Sequence, residues 1–585
     1  MRKTKIIATI GPASCELETV KKMILAGMNA ARFNFSHGDY DFHGKLMDAV
    51  IEAREQLNRP IPLILDTKGP EIRTKKLSTD RVFLEQGSEF TLTTEDIVGD
   101  ESRVSVTYEN MPRDLKVGNR ILIDDGLLEM QVTEIDGTEI KCVLINSGFL
   151  GHRKGINVPD VYVDLPSLTD KDIEDIKFGI ERGVDWIAAS FVRTSEDVLN
   201  IRKVLDQNGG KRIQIIAKIE SRDGVNNIGS ILEVVDAVMV ARGDLGVEIW
   251  PEEVPIVQKD LIRRCISVGK PVITATHMLE SMISNPRPTR AEASDVANAI
   301  FDGSDVVMLS GETAGGKYPV ESVKMMDRIA RKTEASINYD ANFASHYQNL
   351  NKNITNAISF AAVSTALEMG ASCIVPVTDS GFAARMVSRA RPSCPILAAT
   401  ADPVVYRQLN LSWGCVPMLS KRPFEGDSEV FDIAEELVIS TGLVKNGEIM
   451  VTLAGVPVGK AGATNTIRVG TIGDVIFTGT GNNRGIARGV TRVIHEGNSI
   501  EAESFAKGEI LICTNTDDSL LECIKLASAI VVGSWENLDF SHSESVAKAL
   551  NIPLLRAGVK VTDFVKPGIE VTVDTNDGLL LNGYR

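Results

Sequence analysis

The sequence predicts an α/β protein built on a (β/α)₈ TIM barrel, and three observations support this fold. Eight short apolar runs occur in the first 310 residues, helical patterning fills most of the intervals, and polar residues follow the runs. Repeated strand-then-helix order favours a closed parallel barrel. The runs lie at 4–9, 30–35, 62–67, 186–191, 214–219, 237–242, 271–276 and 305–310.

One interval breaks this rhythm. Roughly a hundred residues separate the third run from the fourth, far more than an ordinary connection between a strand and a helix needs. Residues 70–165 alternate in hydrophobicity between turn residues and predict an inserted all-β domain, expected to form a β-barrel lid over the carboxyl ends of the strands. The catalytic barrel is therefore predicted to occupy 1–69 and 166–340.

Two further domains are predicted after the barrel. Residues 341–472 combine strand patterns with a convincing helical pattern and predict a separate α/β domain. A Gly- and Asn-rich bend then leads into residues 473–585, which begin β-rich and continue with an α/β pattern.

Composition narrows the function classes. The 585 residues carry a formal net charge of −16, from 63 basic and 79 acidic side chains, which disfavours a broad surface for nucleic acid or anionic membrane. The first apolar run is cut off by Gly11 and Pro12, and no run approaches a transmembrane length. Eight cysteines without a CxxC pair predict reduced thiols. These features predict a cytoplasmic protein.

Polar and charged residues close six of the eight runs. In a barrel these positions share one mouth, which is where catalytic residues lie. A single charge at a strand end usually just meets water, but convergence from six strands favours an active site. The residues are Arg32, Asn34, Ser36, Asp66, Thr67, Lys68, Lys218, Glu220, Arg242, Asp244, Thr276, His277, Ser310 and Glu312.

Two carboxylates in this set have the spacing of a metal site. Glu220 and Asp244 are 24 residues apart, about one strand-helix repeat, so they should end adjacent strands and suit Mg²⁺ or Mn²⁺. Alternatively, Lys218 or Arg242 neutralises them, and these cations could equally grip a phosphate. Gly243 allows a backbone amide to approach a ligand closely, or only makes a tight turn.

Several other enzyme classes lose their main support. The chain contains no HExxH, GxSxG, GxxxxGK[ST] or GxGxxG motif. The histidines His37 and His277 are isolated, and isolated histidines are more often structural than catalytic.

The strand-end motifs resemble those of the pyruvate kinase family, in the same order. They are ARFNFSHG (31–38), LDTKGPEIR (65–73), IIAKIESRDGV (215–225), VARGDLGVEI (240–249), TATHMLESM (274–282) and MLSGETAGGKYP (308–319). The resemblance covers residues 1 to about 472.

The resemblance implies phosphoryl transfer from phosphoenolpyruvate to ADP, giving pyruvate and ATP, with Mg²⁺ (or Mn²⁺) and K⁺ as cofactors. It implies that Glu220 and Asp244 bind the divalent ion and that Lys218 stabilises the transferred phosphoryl group. The implied K⁺ ligands are Asn34, Ser36, Asp66 and Thr67. The implied substrate or nucleotide contacts are Arg32, Asn34, His37, Arg73, Lys154, Lys218, Gly243, Asp244 and Thr276. Thr276 would join a proton relay with Ser310 and Glu312 behind it, and Glu71 would indicate K⁺ dependence.

The resemblance also implies regulation. The segment VTDSGFAAR (377–385) resembles the family's phosphate-binding loop, so Thr378, Ser380 and Gly381 are expected to bind a phosphorylated small-molecule activator. The family loop commonly carries a hydroxyl residue where this chain has Ala383. A homotetramer is implied by resemblance alone.

The extra segment 473–585 resembles the swivelling phosphohistidine domain of phosphoenolpyruvate-utilising enzymes. The phosphorylated histidine of that domain falls on His542, but LDFSHSES replaces its usual Gly-rich neighbourhood and puts Glu544 nearby. Added bulk and negative charge disfavour a phosphoryl acceptor, so the segment is expected to be structural or regulatory.

Two alternative functions are weighed against this one. A phosphoenolpyruvate synthase-like enzyme would need an ATP-grasp module, for which no segment is a candidate. A sensor of phosphorylated metabolites that has lost its chemistry would lack site residues, and none is missing.

Overall fold

The computed structural model describes residues 1–346, 353–458, 464–495, 504–536 and 539–583. Within these ranges two compact units separate. One contains residues 1–363 and 376–423, and the other contains 364–375, 424–458 and 465–583. No helix among the described residues is both long and apolar enough to cross a bilayer. The boundaries of the four predicted domains stay predictions.

The first unit is built around a closed barrel of eight parallel strands, which confirms the predicted fold. Each apolar run of the sequence forms one of them. In chain order the strands are Lys5–Thr9, Ala30–Asn34, Leu63–Asp66, Trp186–Ala189, Gln214–Ile219, Ala237–Ala241, Val272–Ala275 and Val306–Leu309.

Helices cover the outside of the barrel. They are Leu17–Ala26, Tyr40–Gln56, Asp170–Glu181, Ser195–Gln207, Arg222–Asn226, Ile228–Val234, Arg242–Glu248, Val254–Val268, Arg290–Phe301, Gly311–Ala314 and Pro319–Glu334, with 3₁₀ turns at Pro12–Ser14 and Glu280–Ile283. Three of them begin with a capping box, in which a threonine and an acid three residues later satisfy each other's free backbone amides. The pairs are Thr169 with Asp172, Thr194 with Asp197, and Thr289 with Glu292.

Alternation along each strand explains the two cores. Ile6 and Ala8 pack against the outer helices, whereas Ile7 packs inside the barrel. Successive side chains of a strand point to opposite faces, so even a five-residue strand contributes to both cores. Small residues such as Ala30 and Ala188 keep the interior from being overfilled.

The inserted segment between the third and fourth barrel strands is all-β apart from the short helix Met111–Asp114. Seven strands form one sheet and two strands form another. In chain order they are Ile72–Arg73, Arg81–Leu84, Glu89–Thr93, Arg103–Ser105, Arg120–Ile123, Leu128–Asp136, Glu139–Leu144, Gly148–Gly151 and Gly155–Asn157.

Strands and helices alternate after the barrel. The helices are Tyr339–His346, Ile354–Glu368, Phe382–Arg389, Pro403–Gln408 and Glu429–Ser440, with a 3₁₀ turn at Leu409–Leu411. The strands are Cys373–Pro376, Ile396–Thr400, Cys415–Leu419, Ile449–Gly455 and Thr464–Thr471.

The last segment forms an eight-stranded sheet of its own in the second unit. Its strands are Val475–Thr478, Thr480–Asn482, Ile486–Ile494, Ile510–Cys513, Ala529–Gly533, Leu554–Ala557, Glu570–Asp574 and Leu579–Asn582. Its helices are Leu521–Leu526, Ser541–Leu550 and Val561–Phe564, with a 3₁₀ turn at Asp518–Leu520.

Asp185, just before the fourth barrel strand, is a buried anchor. Its carboxylate accepts the backbone N–H of Leu63 at 3.0 Å and the Nε–H of Arg407 at 2.8 Å. We predict that Asp185→Ala lowers the free energy of unfolding by about 2–4 kcal/mol, because it leaves a buried amide and the half-buried cation of Arg407 unpaired. Urea denaturation measures this loss. The control is Asp206→Ala at an exposed position, whose free energy of unfolding should stay within about 0.5 kcal/mol of wild type. Equal losses of stability in the two variants would contradict the prediction.

Candidate active site

Side-chain alternation brings the predicted site residues to one mouth. Ala30, Ile64 and Ile216 face the barrel interior. Two residues later on each strand, the same face carries Arg32, Asp66 and Lys218, at the carboxyl end. Extending the pattern by one step past the strand ends reaches Ser190 and Glu220. The charged mouth is therefore a direct continuation of the apolar barrel core.

The ammonium group of Lys218 is the centre of this mouth. Its Nζ lies 3.1 Å from Oδ1 of Asp66, 3.1 Å from Oε1 of Glu220 and 2.6 Å from Oγ of Ser190. Burial alone would lower the lysine pKa, but Asp66 and Glu220 outweigh burial and raise the pKa of Lys218 above its ordinary value. Lys218 is therefore held as a buried cation.

Asp66 is shared by two cations. Its Oδ2 accepts the Nε–H of Arg32 at 2.6 Å, and Arg32 also donates to Oγ1 of Thr9 at 3.0 Å. Burial works to raise the pKa of Asp66, but Arg32 and Lys218 together hold it below its usual range. Arg32 thus enters the site already oriented by two hydrogen bonds.

The carboxylate of Glu220 is the group in this mouth whose ionised form is least stable. The carboxylate is buried, and Oε2 accepts the backbone N–H of Phe191 at 2.6 Å. Burial raises its pKa to about 7, which the attraction of Lys218 opposes and the negative charge of Asp244 reinforces. Asp244 follows the neighbouring strand, near the start of the helix Arg242–Glu248, and its carboxylate forms no hydrogen bond or ion pair with any described residue.

The pair Glu220 and Asp244 offers two carboxylates to a divalent ion. Within the described ranges no group of three or more His, Cys, Asp or Glu side chains is arranged to hold a metal. An ion bound here would take its remaining oxygen ligands from substrate and water, which suits Mg²⁺.

The sequence allowed Arg242 to pair with the carboxylates or to bind a phosphate. In the structure its guanidinium bonds elsewhere. Its guanidinium donates to Oδ1 of Asp295 at 2.7 Å and to the backbone oxygen of Thr276 at 2.7 Å. Thr276 and His277 have left-handed φ angles of 64° and 52°. Arg242 therefore holds a strained turn, and the cation facing Glu220 is Lys218.

Thr276 touches the next strand end. Its hydroxyl accepts the backbone N–H of Gly243 at 2.8 Å and donates to the backbone oxygen of Ala275 at 2.6 Å. Gly243 and Thr276 are thus in contact, and their role in binding substrate stays a prediction.

Glu312 is buried and accepts two backbone amides, from Leu279 at 3.0 Å and from Ser310 at 2.7 Å. Burial raises the pKa of Glu312. The hydroxyl oxygen of Ser310 is buried and has no partner among the described residues. No hydrogen bond joins Ser310 or Glu312 to Thr276 among the described residues, so their part in a proton relay stays a prediction.

The four predicted K⁺ ligands lie at or just after the ends of two neighbouring strands, on which Asn34 pairs with Asp66. Asp66 and Thr67 are consecutive and buried, and Oγ1 of Thr67 accepts the N–H of Ser190 at 3.2 Å. Oδ1 of Asn34 accepts the N–H of Ser36 at 3.2 Å. Both carboxylate oxygens of Asp66 are engaged by Arg32 and Lys218, so a bound K⁺ would share them.

A cavity of about 540 Å³ lies between the inserted domain and the barrel, beside Asp244, Phe191 and Ser221. Lys154 and Arg73 line it from the lid side, each held by an acid: Lys154 by Asp124 at 2.9 Å and Arg73 by Glu71 at 2.6 Å. The size suits a small-molecule ligand. The exposed His37 is not among the residues that line this cavity, and neither are Lys218, Glu220 and Thr276.

The predicted regulatory loop has a compact turn. Gly381, at φ 77°, donates its N–H to Oγ1 of Thr378 at 3.0 Å, and the exposed Ser380 accepts the N–H of Phe382 at 3.4 Å. A phosphate bound here would have to replace these internal bonds.

In the last segment both ring nitrogens of His542 have partners. Its Nδ1 lies 2.9 Å from Oγ1 of Thr516, and its Nε2 lies 3.4 Å from Oδ1 of Asp518. Glu544 is ion-paired with Arg556. The acid beside the imidazole is therefore Asp518.

Sequence reasoning missed Ser190 and Phe191. They follow the fourth strand, where the sequence carries no charge to attract notice. The alternation Trp186, Ala188, Ser190 on the inward face would have found Ser190.

A (β/α)₈ barrel with paired carboxylates, a buried lysine and a cavity beside Asp244 is typical of an enzyme that acts on a small anionic substrate. The family models agree on a particular one. "Pyruvate kinase, barrel domain" matches residues 1–323, and "Pyruvate kinase, alpha/beta domain" matches residues 356–470. The chain belongs to the pyruvate kinase family.

Individual relatives support the assignment over the whole length. The pyruvate kinases of Bacillus licheniformis and Staphylococcus aureus are 45% and 43% identical, each over 100% of this chain and 99% of their own. A crystal structure of a pyruvate kinase from Cryptosporidium parvum matches with TM-score 0.77 at 39% identity, over 80% of this chain and 96% of that one. The enzyme is a phosphotransferase that makes pyruvate and ATP from phosphoenolpyruvate and ADP in glycolysis, and the family generally uses Mg²⁺ and K⁺.

The raised pKa of Glu220 predicts a stability cost that depends on pH. Ionisation at about 7 in the folded chain, against about 4.3 when unfolded, destabilises the fold progressively as pH rises from about 4.5 to 7. Glu220→Gln should therefore gain stability over wild type by about 2 kcal/mol more at pH 8 than at pH 5. Denaturant unfolding of chelator-treated protein measures this, and an identical pH dependence in both proteins would contradict it.

Proposed function

We propose that the mouth of the barrel performs phosphoryl transfer with the roles that its geometry supports. Lys218 stabilises negative charge on the transferring phosphoryl group, because its cation is fixed in place before substrate arrives. Arg32 and Arg73 contact phosphate oxygens, and Lys154 approaches from the lid. The observation that carries the proposal is the buried Lys218 held by Asp66 and Glu220 at the mouth.

The substrate carboxylate is bound by the backbone around Gly243 and Asp244. Thr276 contacts Gly243 and stands near the enolate, where it takes part in proton delivery through water. Ser310 and Glu312 support this proton relay, and Glu312 fixes the backbone of Leu279 and Ser310 behind it. Asn34 and His37 border the substrate.

Glu220 and Asp244 would hold Mg²⁺ (or Mn²⁺). Asn34, Ser36, Asp66 and Thr67 would hold K⁺, since they form an all-oxygen set with only one carboxylate. When bound, these ions neutralise phosphate charge and orient the substrate. The free carboxylate of Asp244 and the raised pKa of Glu220 fit a site that prefers to be neutralised by a cation.

A phosphorylated small molecule is proposed as activator at Thr378, Ser380 and Gly381. The exposed Ser380 hydroxyl and the amide of Gly381 supply donors of the right kind. We also propose a homotetramer in the cytoplasm, with neither nucleic acid nor membrane as a partner. The segment 473–585 is proposed to be a regulatory relative of phosphohistidine domains, with His542 unphosphorylated.

The K⁺ requirement tests this set of roles. Replacing K⁺ by tetramethylammonium should lower pyruvate formation from phosphoenolpyruvate, ADP and Mg²⁺ by about 100-fold. Glu71→Lys should largely abolish the requirement, because in the family a lysine at this position takes the place of the cation. The lid variant Glu85→Lys is the matched control and should stay K⁺-dependent. Full activity of the wild type in tetramethylammonium would refute the K⁺ site.

A further inference from the structure

The turn that follows the fourth barrel strand contacts both key residues of the fifth. Oγ of Ser190 lies 2.6 Å from Nζ of Lys218, and the N–H of Phe191 donates to Oε2 of Glu220 at 2.6 Å. Two consecutive residues therefore orient the proposed phosphoryl-stabilising cation and a proposed metal ligand.

The hydrogen of the Ser190 hydroxyl has a defined destination. Ser190 donates to the backbone oxygen of Thr67 at 2.7 Å, which is much shorter than its 3.5 Å approach to Oδ1 of Asp66. Since a hydroxyl has one hydrogen, Ser190 can only accept from Lys218. The hydrogen bonds run from Lys218 to Ser190 to Thr67, which links the phosphoryl side of the site to a residue of the proposed K⁺ site.

Lys218 has three N–H donors and three partners. Asp66 and Glu220 are anions, and Ser190 is the neutral third. With Arg32 present, two cations face these two carboxylates, and Asp244 adds a further negative charge nearby. Another carboxylate at position 190 would increase this negative charge and repel a phosphate, so a hydroxyl satisfies the last donor without that repulsion.

The backbone of the turn is strained and clamped. Phe191 has φ 53°, in the left-handed region that non-glycine residues seldom adopt. Gly69 packs against it so closely that a β-carbon there would lie 2.8 Å from Cβ of Ser190. The N–H of Ser190 donates to Oγ1 of Thr67 at 3.2 Å. Strain held by this many contacts is typical of functional positions.

We propose that Ser190 is a positioning residue for phosphoryl transfer, which fixes the Lys218 ammonium and couples it to the Thr67 carbonyl. The inference rests on the proposed role of Lys218. Without the Ser190 hydroxyl the ammonium loses one of three restraints and a buried N–H is left unpaired. The loss falls on the transition state rather than on substrate binding, because Lys218 stabilises charge that develops during transfer.

The test compares the kinetics of Ser190→Ala, Ser190→Cys and Ser322→Ala in the full-length enzyme. Ser322 is also a buried barrel serine whose hydroxyl donates to a backbone oxygen, that of Tyr318 at 2.8 Å, so it controls for loss of a hydroxyl. Ser190→Ala should lower kcat about 10- to 100-fold, change KM for phosphoenolpyruvate less than about threefold, and raise the K⁺ concentration for half-maximal activity. Ser190→Cys should be intermediate, and Ser322→Ala should match wild type. If Ser190→Ala does not fold, Ser190→Cys carries the test.

A double-mutant cycle with Lys218→Met separates positioning from a structural role. In the Lys218→Met background, Ser190→Ala should change kcat less than about twofold, because the group it positions is gone. Equal effects in both backgrounds, or an unchanged kcat for Ser190→Ala beside an impaired Lys218→Met, would overturn the inference alone. Wild-type kcat for Lys218→Met would overturn the proposed role of Lys218 itself.

Discussion

The structure depends on a buried balance of charge at the mouth of the barrel. Removing a charged group from water is costly, and a lone lysine in this position would lose its proton. Asp66 and Glu220 keep Lys218 charged, while Arg32 and Lys218 keep Asp66 ionised. Each of these four groups is tolerable only because the others are present.

The barrel makes this balance possible. Its strands carry inward-facing apolar residues up to the level of Ala30, Ile64 and Ile216, so the charges sit on a close-packed floor. The polar layer is unfavourable for stability in two respects. Glu220 is held with a raised pKa, and Phe191, Thr276 and His277 adopt left-handed backbone conformations. The apolar core below and around the strands offsets these costs.

The sequence predicted both the barrel and the set of polar residues at its mouth. Apolar runs and polar strand ends are local features, and barrel geometry then brings distant strand ends together. Contacts outside that geometry were not predictable. Arg242 bonds to Asp295, 53 residues away, and no local pattern indicates this pairing. Strand alternation places Ser190 on the inward face, but its bonds to Lys218 and to the Thr67 carbonyl leave no mark in the local sequence. The partner of His542 depends on the loop around Asp518, whose position the sequence does not specify.

The central claim is that Lys218 remains a cation because of its two carboxylate partners, and its titration tests this most directly. NMR of protein labelled at the lysine ε-carbons, with Lys218 assigned through Lys218→Arg, follows each ammonium as pH rises. Exposed lysines have a pKa of about 10.4. The Lys218 signal should stay at its protonated shift when those signals are half-way through their change. Titration of Lys218 with the exposed lysines, or at lower pH, would contradict the account.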